Sequence, residues 1–152
     1  MSLQLKWTPF PTVLRYTELE NAGGKANGFV VRIDPKYQND PGVHAHEYRH
    51  VLHWYLTVLL GCLWSVGLQV VVDFPTELMW VGIFLSFIVY SLALQNKKLA
   101  LWIECDCYGE QFKATPEIEH LPTWARILKD HYKLPHTLEE IEKRLREQVG
   151  KA

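Results

Sequence analysis

The sequence predicts a mainly α-helical chain with a small β element, in which a metal-binding helix runs straight into a two-helix transmembrane hairpin. Three observations carry this reading. The stretch HAHEYRH, residues 44–50, gathers three histidines and a glutamate directly ahead of an apolar run. That run, Trp54 to Val72, has no charged residue, and a second charge-free run, Leu78 to Leu94, follows after the short connection DFPTE. Each run approaches the roughly 20 apolar residues that cross a bilayer core.

We read the 152 residues as one domain. A strand-and-loop region covers 1–42, the metal helix with the first membrane helix covers 43–72, the second membrane helix with a further helix covers 78–112, and C-terminal helices cover 113–152. A net charge of -1 gives no reason to expect a nucleic-acid partner. The cysteines number 3, an odd count that argues against a disulfide framework and fits thiols in a reducing compartment. The opening MSLQLKWTPF is polar and interrupted by proline, unlike a secretory signal.

In chain order, LQLKWTPF is read as an extended segment, and NAGGKANG supplies turn-forming glycines. FVVRID, Phe29 to Asp34, is β-branched and bounded by turn formers, so a strand is expected. Asn39 or Asp40 can cap the next helix, with Pro41 in its first turn. No stop signal lies between Val43 and Val72, so the histidine helix should continue into the membrane. Thr57, Gly61, Ser65 and Gln69 form a stripe on the first run, and Gly82, Ser86 and Tyr90 form one on the second. Small residues allow close helix approach in lipid, and the hydroxyls and amide can bond across such a seam.

Arg49 precedes the hairpin and Lys97 and Lys98 follow it, while the connection carries only Asp73 and Glu77. Basic flanks favour the cytoplasmic side, so both termini and the histidine cluster should be cytoplasmic, with membrane lipid as a partner. NKKLALWIECDCYGEQF is expected to continue as a helix leaving the membrane. Pro116 and Pro122 bracket a connection. TWARILKDHY and TLEEIEKRLREQVG then read as amphipathic helices, the last with a Thr137/Glu140 capping box and Gly150 at its end.

His46 and His50 are four apart, so they share a helix face and can aim at one ion. Glu47 is placed to take a proton from a metal-bound water, which is the mechanical content of HExxH. Imidazole and carboxylate ligands with one open position point to zinc. A third protein ligand must come from an element beside the metal helix. If the hairpin returns the chain to the same membrane face, LWIECDCYGE arrives there, and Glu104 is our choice. Glu104, Cys107 and Tyr108 share one face, and Asp106 is the nearer competitor for the ligand role. Cys105 and Cys107 diverge by about 200° on a helix and cannot easily reach one ion together. Cys107 is small enough for helices to approach closely, and Tyr108 can steady a ligand or the oxyanion.

An HExxH helix, a membrane hairpin, and then Glu104 followed by a small residue at Cys107 resemble the gluzincin-type integral-membrane metallopeptidases. That group includes the CAAX prenyl protease and the bacterial heat-shock membrane protease. The resemblance covers about residues 29–112. It implies a zincin-like fold, zinc bound by His46, His50 and Glu104, Glu47 as catalytic base, and a peptide or protein substrate. The chain departs from the group in lacking a membrane-helix pair ahead of HExxH and in carrying Tyr108 where the group usually has Asp. In zincins a strand edge before the metal helix commonly holds the substrate backbone, and FVVRID lies at that place. The expected function is a membrane-anchored zinc endopeptidase. The alternative is a non-catalytic membrane metal-binding or interaction protein that retains the fold.

Overall fold

A computed structural model of the chain describes residues 3–8, 10–20, 22–73 and 75–150, with side chains described from Phe10 onward. The chain is mainly helical, with a four-stranded sheet at the N-terminal side. Strands β1 (Leu3–Thr8) and β2 (Phe10–Tyr16) form an antiparallel pair. β2 runs parallel to β4 (Val30–Ile33), and β3 (Gly24–Asn27) pairs antiparallel with β4, giving the order β1-β2-β4-β3. Gly28, at φ 60, sits in the turn from β3 to β4, where a side chain would be strained. Leu14, Val31 and Ile33 point to one face of the sheet and pack on Val51 of the first helix.

The strand expected at FVVRID is present as β4, but it offers no free edge. β2 takes its hydrogen bonds on one side and β3 on the other, so its main chain is fully used. The edge on that side of the sheet is β3, whose residues GKAN read as a turn by composition.

Helix α1 spans Pro41–Val72, 32 residues without a break, so the histidine segment and the first apolar run are one rod. The Asp40 carboxylate caps it, accepting from the backbone N–H of Gly42 at 2.8 Å and of Val43 at 3.1 Å. Asp73, in the left-handed region at φ 47, ends it. Helix α2 spans Thr76–Ala93 and packs back along α1. Both helices are long and apolar enough to cross a membrane. Their outer faces carry exposed apolar side chains, with Trp64 at 71%, Val70 at 77% and Phe84 at 70% exposure.

The two small-residue stripes do meet. A Cβ added at Gly61 would lie 2.4 Å from Ser86 Cβ, and one at Gly82 would lie 2.4 Å from Ser65 Oγ. The hydroxyls, however, bond back along their own helices: Thr57 to His53 O, Ser65 to Gly61 O and Ser86 to Ile83 O. The small residues therefore give closeness, and polar contacts across the seam include Cys62 Sγ to Ser86 Oγ at 3.7 Å, Trp54 Nε1 donating to Phe87 O at 3.2 Å, and Tyr90 OH with His50 Nδ1.

The second apolar helix does not continue outward as expected. It ends at Ala93, and helix α3 (Lys97–Ala114) starts anew with Asn96 as cap, its side chain accepting from the N–H groups of Lys98 and Leu99. This break re-aims the chain so that α3 lies against the N-terminal half of α1. Helices α4 (Leu121–Tyr132) and α5 (Leu138–Val149) cover the other side of α3. They enclose a core of Leu101, Leu121, Trp124, Leu128, Ile141 and Leu145. The Thr137/Glu140 capping box is formed.

The seam geometry generates a paired prediction. Gly61→Ala should destabilise the protein by about 1–3 kcal/mol, because the added methyl overlaps Ser86. Gly67→Ala, which meets nothing within 4 Å, should leave stability unchanged or raised. Thermal unfolding of both variants in detergent micelles measures the difference, and equal melting temperatures would contradict this packing.

Candidate metal centre

His46 and His50 lie one turn apart on the face of α1 that meets α3. Glu104 and Cys107, three apart, lie on the face of α3 that meets α1. The Glu104 carboxylate reaches both imidazoles: Oε2 is 3.4 Å from His46 Nε2, and Oε1 is 3.3 Å from His50 Nε2. The two Nε2 atoms are 3.2 Å from each other. His46, His50 and Cys107 also form a buried group whose ligand atoms all lie within 4.8 Å of one another, an arrangement able to hold a metal ion. Glu104 is 3% exposed and Cys107 is fully buried.

Two tyrosines orient these donors from outside. Tyr90 OH, near the end of α2, lies 2.8 Å from His50 Nδ1. Tyr132 OH, at the end of α4, donates to Glu104 Oε1 at 2.5 Å. Tyr108 meets the His46 ring edge-on, with centroids 4.5 Å apart, and stacks on Trp124 behind it. The inner imidazole nitrogen of His46, Nδ1, is buried without a hydrogen-bond partner among the described residues.

Glu47 points to the neighbouring side, towards β3. It accepts a backbone hydrogen bond from Ala26, and only a glycine at position 24 leaves room for it. A Cβ there would lie 2.6 Å from its Oε1. Its Oε2 is buried and has no hydrogen-bond partner among the described residues. Burial raises the Glu47 carboxyl above its ordinary range, more than the nearby histidines lower it. For Glu104 the balance runs the other way. Burial would raise it, but His50 and the hydrogen bonds from both imidazoles outweigh that and hold the carboxyl well below the usual range. Burial pushes the Cys107 thiol up to about 11.

No protein-family model, curated protein or solved structure matches this chain. The geometry of the site therefore carries the functional reading.

The expected ligands His46, His50 and Glu104 are thus brought together, with Glu47 and Tyr108 beside them. Asp106, weighed as a rival ligand, is engaged elsewhere. Its carboxylate accepts from the guanidinium of Arg49, from Gln148 Nε2 at 3.0 Å, and pairs with His53 Nε2 at 2.8 Å. Burial opposes its ionisation, yet the bonds from His53 and Arg49 hold its carboxyl well below the normal range. Cys105 faces away into the core beneath α4 and α5, while Cys107 joins the donors. Tyr90 and Tyr132 were not singled out for the site by the sequence. Tyr90 does close the Gly82, Ser86 stripe, which is a signal for the helix seam. Tyr132 has no local signal, because its place depends on how α4 folds back.

Asp106 ties α1 to both α3 and α5, so Asp106→Ala should cost about 3 kcal/mol by leaving Arg49 and His53 without their shared anion. Thermal unfolding should register this loss, and stability equal to that of the unaltered protein would show that the cluster is not a clamp.

Proposed function

We propose that the chain is a membrane-anchored zinc endopeptidase, with zinc held by His46, His50 and Glu104 and with Glu47 as general base. The observation that carries this is the convergence of four atoms: the two Nε2 atoms lie 3.2 Å apart, and each lies 3.3 or 3.4 Å from a different oxygen of the Glu104 carboxylate. A tetrahedral ion with bonds of about 2.0–2.1 Å sets its donors about 3.3 Å apart, so the spacing of these donor pairs fits zinc. Convergence of two imidazole nitrogens and two carboxylate oxygens on one buried point is what a cation resolves.

Zinc, when bound, supplies a Lewis acid that polarises a peptide carbonyl and acidifies a water. The chain's own residues do the rest. Tyr90 engages His50 Nδ1, so that Nε2 is the atom turned to the ion. Tyr132 orients Glu104, and Tyr108 steadies the His46 ring. Glu47 carries a buried oxygen that is not otherwise engaged, which suits it to take a proton from the attacking water and hand it to the leaving amine.

The membrane reading rests on α1 and α2 and on the distribution of charge. Arg49, Lys97 and Lys98 lie at one end of the hairpin and Asp73 and Glu77 at the other, which favours a cytoplasmic site and cytoplasmic termini. His50 precedes Trp54 by one helical turn, about 6 Å, so the bond cut would lie close to the bilayer surface. A second reading, a non-catalytic membrane metal-binding protein, is favoured by one observation. Cys107 stands among the donors, and a fourth protein ligand closes a zinc sphere.

Glu47→Gln separates the two. The enzyme reading expects stoichiometric zinc to remain while cleavage of an unfolded protein falls by about 10²–10⁴-fold. His46→Ala and Glu104→Ala should each lose the zinc, by elemental analysis of protein purified in detergent. Unaltered cleavage by Glu47→Gln would remove the enzyme reading, and zinc-free wild-type protein would remove both.

Topology has its own check. In sealed vesicles a membrane-impermeant maleimide should label Glu77→Cys from the side opposite to Lys113→Cys. Labelling of both from one side would exclude a two-pass hairpin.

A further inference from the structure

By sequence Cys107 is a small residue that lets helices approach, and no step of the proposed hydrolysis uses its thiol. Its surroundings are those of a ligand. Cys107 is fully buried, and its thiol lies within 4.8 Å of the ligand nitrogens of His46 and His50. It stands one turn from Glu104 on the same face of α3. The site thus has two donors from each of two facing helices, His46 with His50 and Glu104 with Cys107. That is a full tetrahedral set, where the proposed chemistry needs three protein donors and a water. Cys105 turns into the core under α4 and α5, so one thiol and not a cysteine pair is presented.

We propose that Cys107 is a displaceable fourth zinc ligand that closes the resting site, and that cleavage requires its departure. This rests on the zinc reading above and adds a latent state to it. On closing, the Sγ–H bond breaks, a sulfur–metal bond would replace the metal–water bond, and the water and the proton leave to solvent. On opening, the thiolate takes a proton from solvent and water or substrate takes its position. No electron is transferred in either direction. A zincin built from His46, His50, Glu47 and Glu104 alone has no use for a buried thiol at this point.

Cobalt(II) tests this in the full-length protein, purified in detergent and stripped of metal beforehand. The wild-type protein loaded with cobalt should show near-ultraviolet thiolate-to-cobalt charge-transfer absorption. Cys107→Ser should lose that absorption yet still bind one cobalt, and Cys105→Ser, also buried, should keep it and so control for damage to the fold. Losing a group that merely orients a metal ligand lowers affinity by about 10–100-fold, so Cys107→Ser should weaken zinc binding at least that much. Acetohydroxamate added to the cobalt-loaded wild type should abolish the absorption by displacing the thiolate. Absorption that survives the hydroxamate overturns displaceability and makes Cys107 a permanent ligand. Stoichiometric cobalt with no thiolate absorption overturns Cys107 ligation and leaves the His46, His50, Glu104 site standing. Failure to bind cobalt or zinc at all removes the metal reading itself.

Discussion

A buried carboxylate between two imidazoles is the constraint around which this chain is arranged. Burying an ionised carboxylate without compensation costs several kcal/mol, so Glu104 is tolerable only where His46, His50 and Tyr132 meet it. That requirement fixes the relation of α3 to α1. The chain must leave α1, turn, return along α2 and then change direction before Glu104 can arrive. The Asn96 break supplies the change of direction, and α4 and α5 seal the far side and bring Tyr132. The hairpin is in this sense the connection that delivers one carboxylate to two histidines more than fifty residues earlier in the chain.

The N-terminal half of α1 serves a different neighbour on each side. His46 and His50 face Glu104, Arg49 and His53 face Asp106, Glu47 faces β3, and Val51 packs on the sheet. A helix that is surrounded in this way shows no simple division into an apolar and a polar face. Its polar residues are buried because each has a particular partner, and this explains why charged and titratable groups concentrate in so short a stretch.

Much of this was legible in the sequence where the signal is local. The charge-free runs gave α1 and α2, the four-residue spacing gave the histidine pair, and Asp40 and the Thr137/Glu140 box marked helix starts. A hairpin that turns back returns Glu104 to the level of the histidines, on the helical face it shares with Cys107. What escaped depends on partners distant in the chain. β3 consists of turn-forming residues and is a strand only because β4 pairs with it. β2 contains Pro11 and Arg15, and it is held by pairing on both sides. The helix break at Asn96 is set by a single capping side chain in a sequence that otherwise reads as continuous. Spacing rightly separates Cys105 from Cys107, but it does not show that Cys107 alone faces the histidines. Tyr132 enters only through the packing of α4.

The continuity of α1 has a mechanical consequence. In the membrane-anchored reading α1 is a rigid rod held by lipid along one half and bearing two imidazoles on the other, and so is a lever. From His50 to the end of α1 is about 33 Å, so pivoting the rod by about 5° against α3 moves one end by about 3 Å relative to the other. Coordination geometry tolerates displacements of only about 0.5 Å. Bilayers of different thickness impose different helix tilts. In the membrane-anchored reading, the thickness of the surrounding lipid would therefore set how well the imidazoles and the Glu104 carboxylate align.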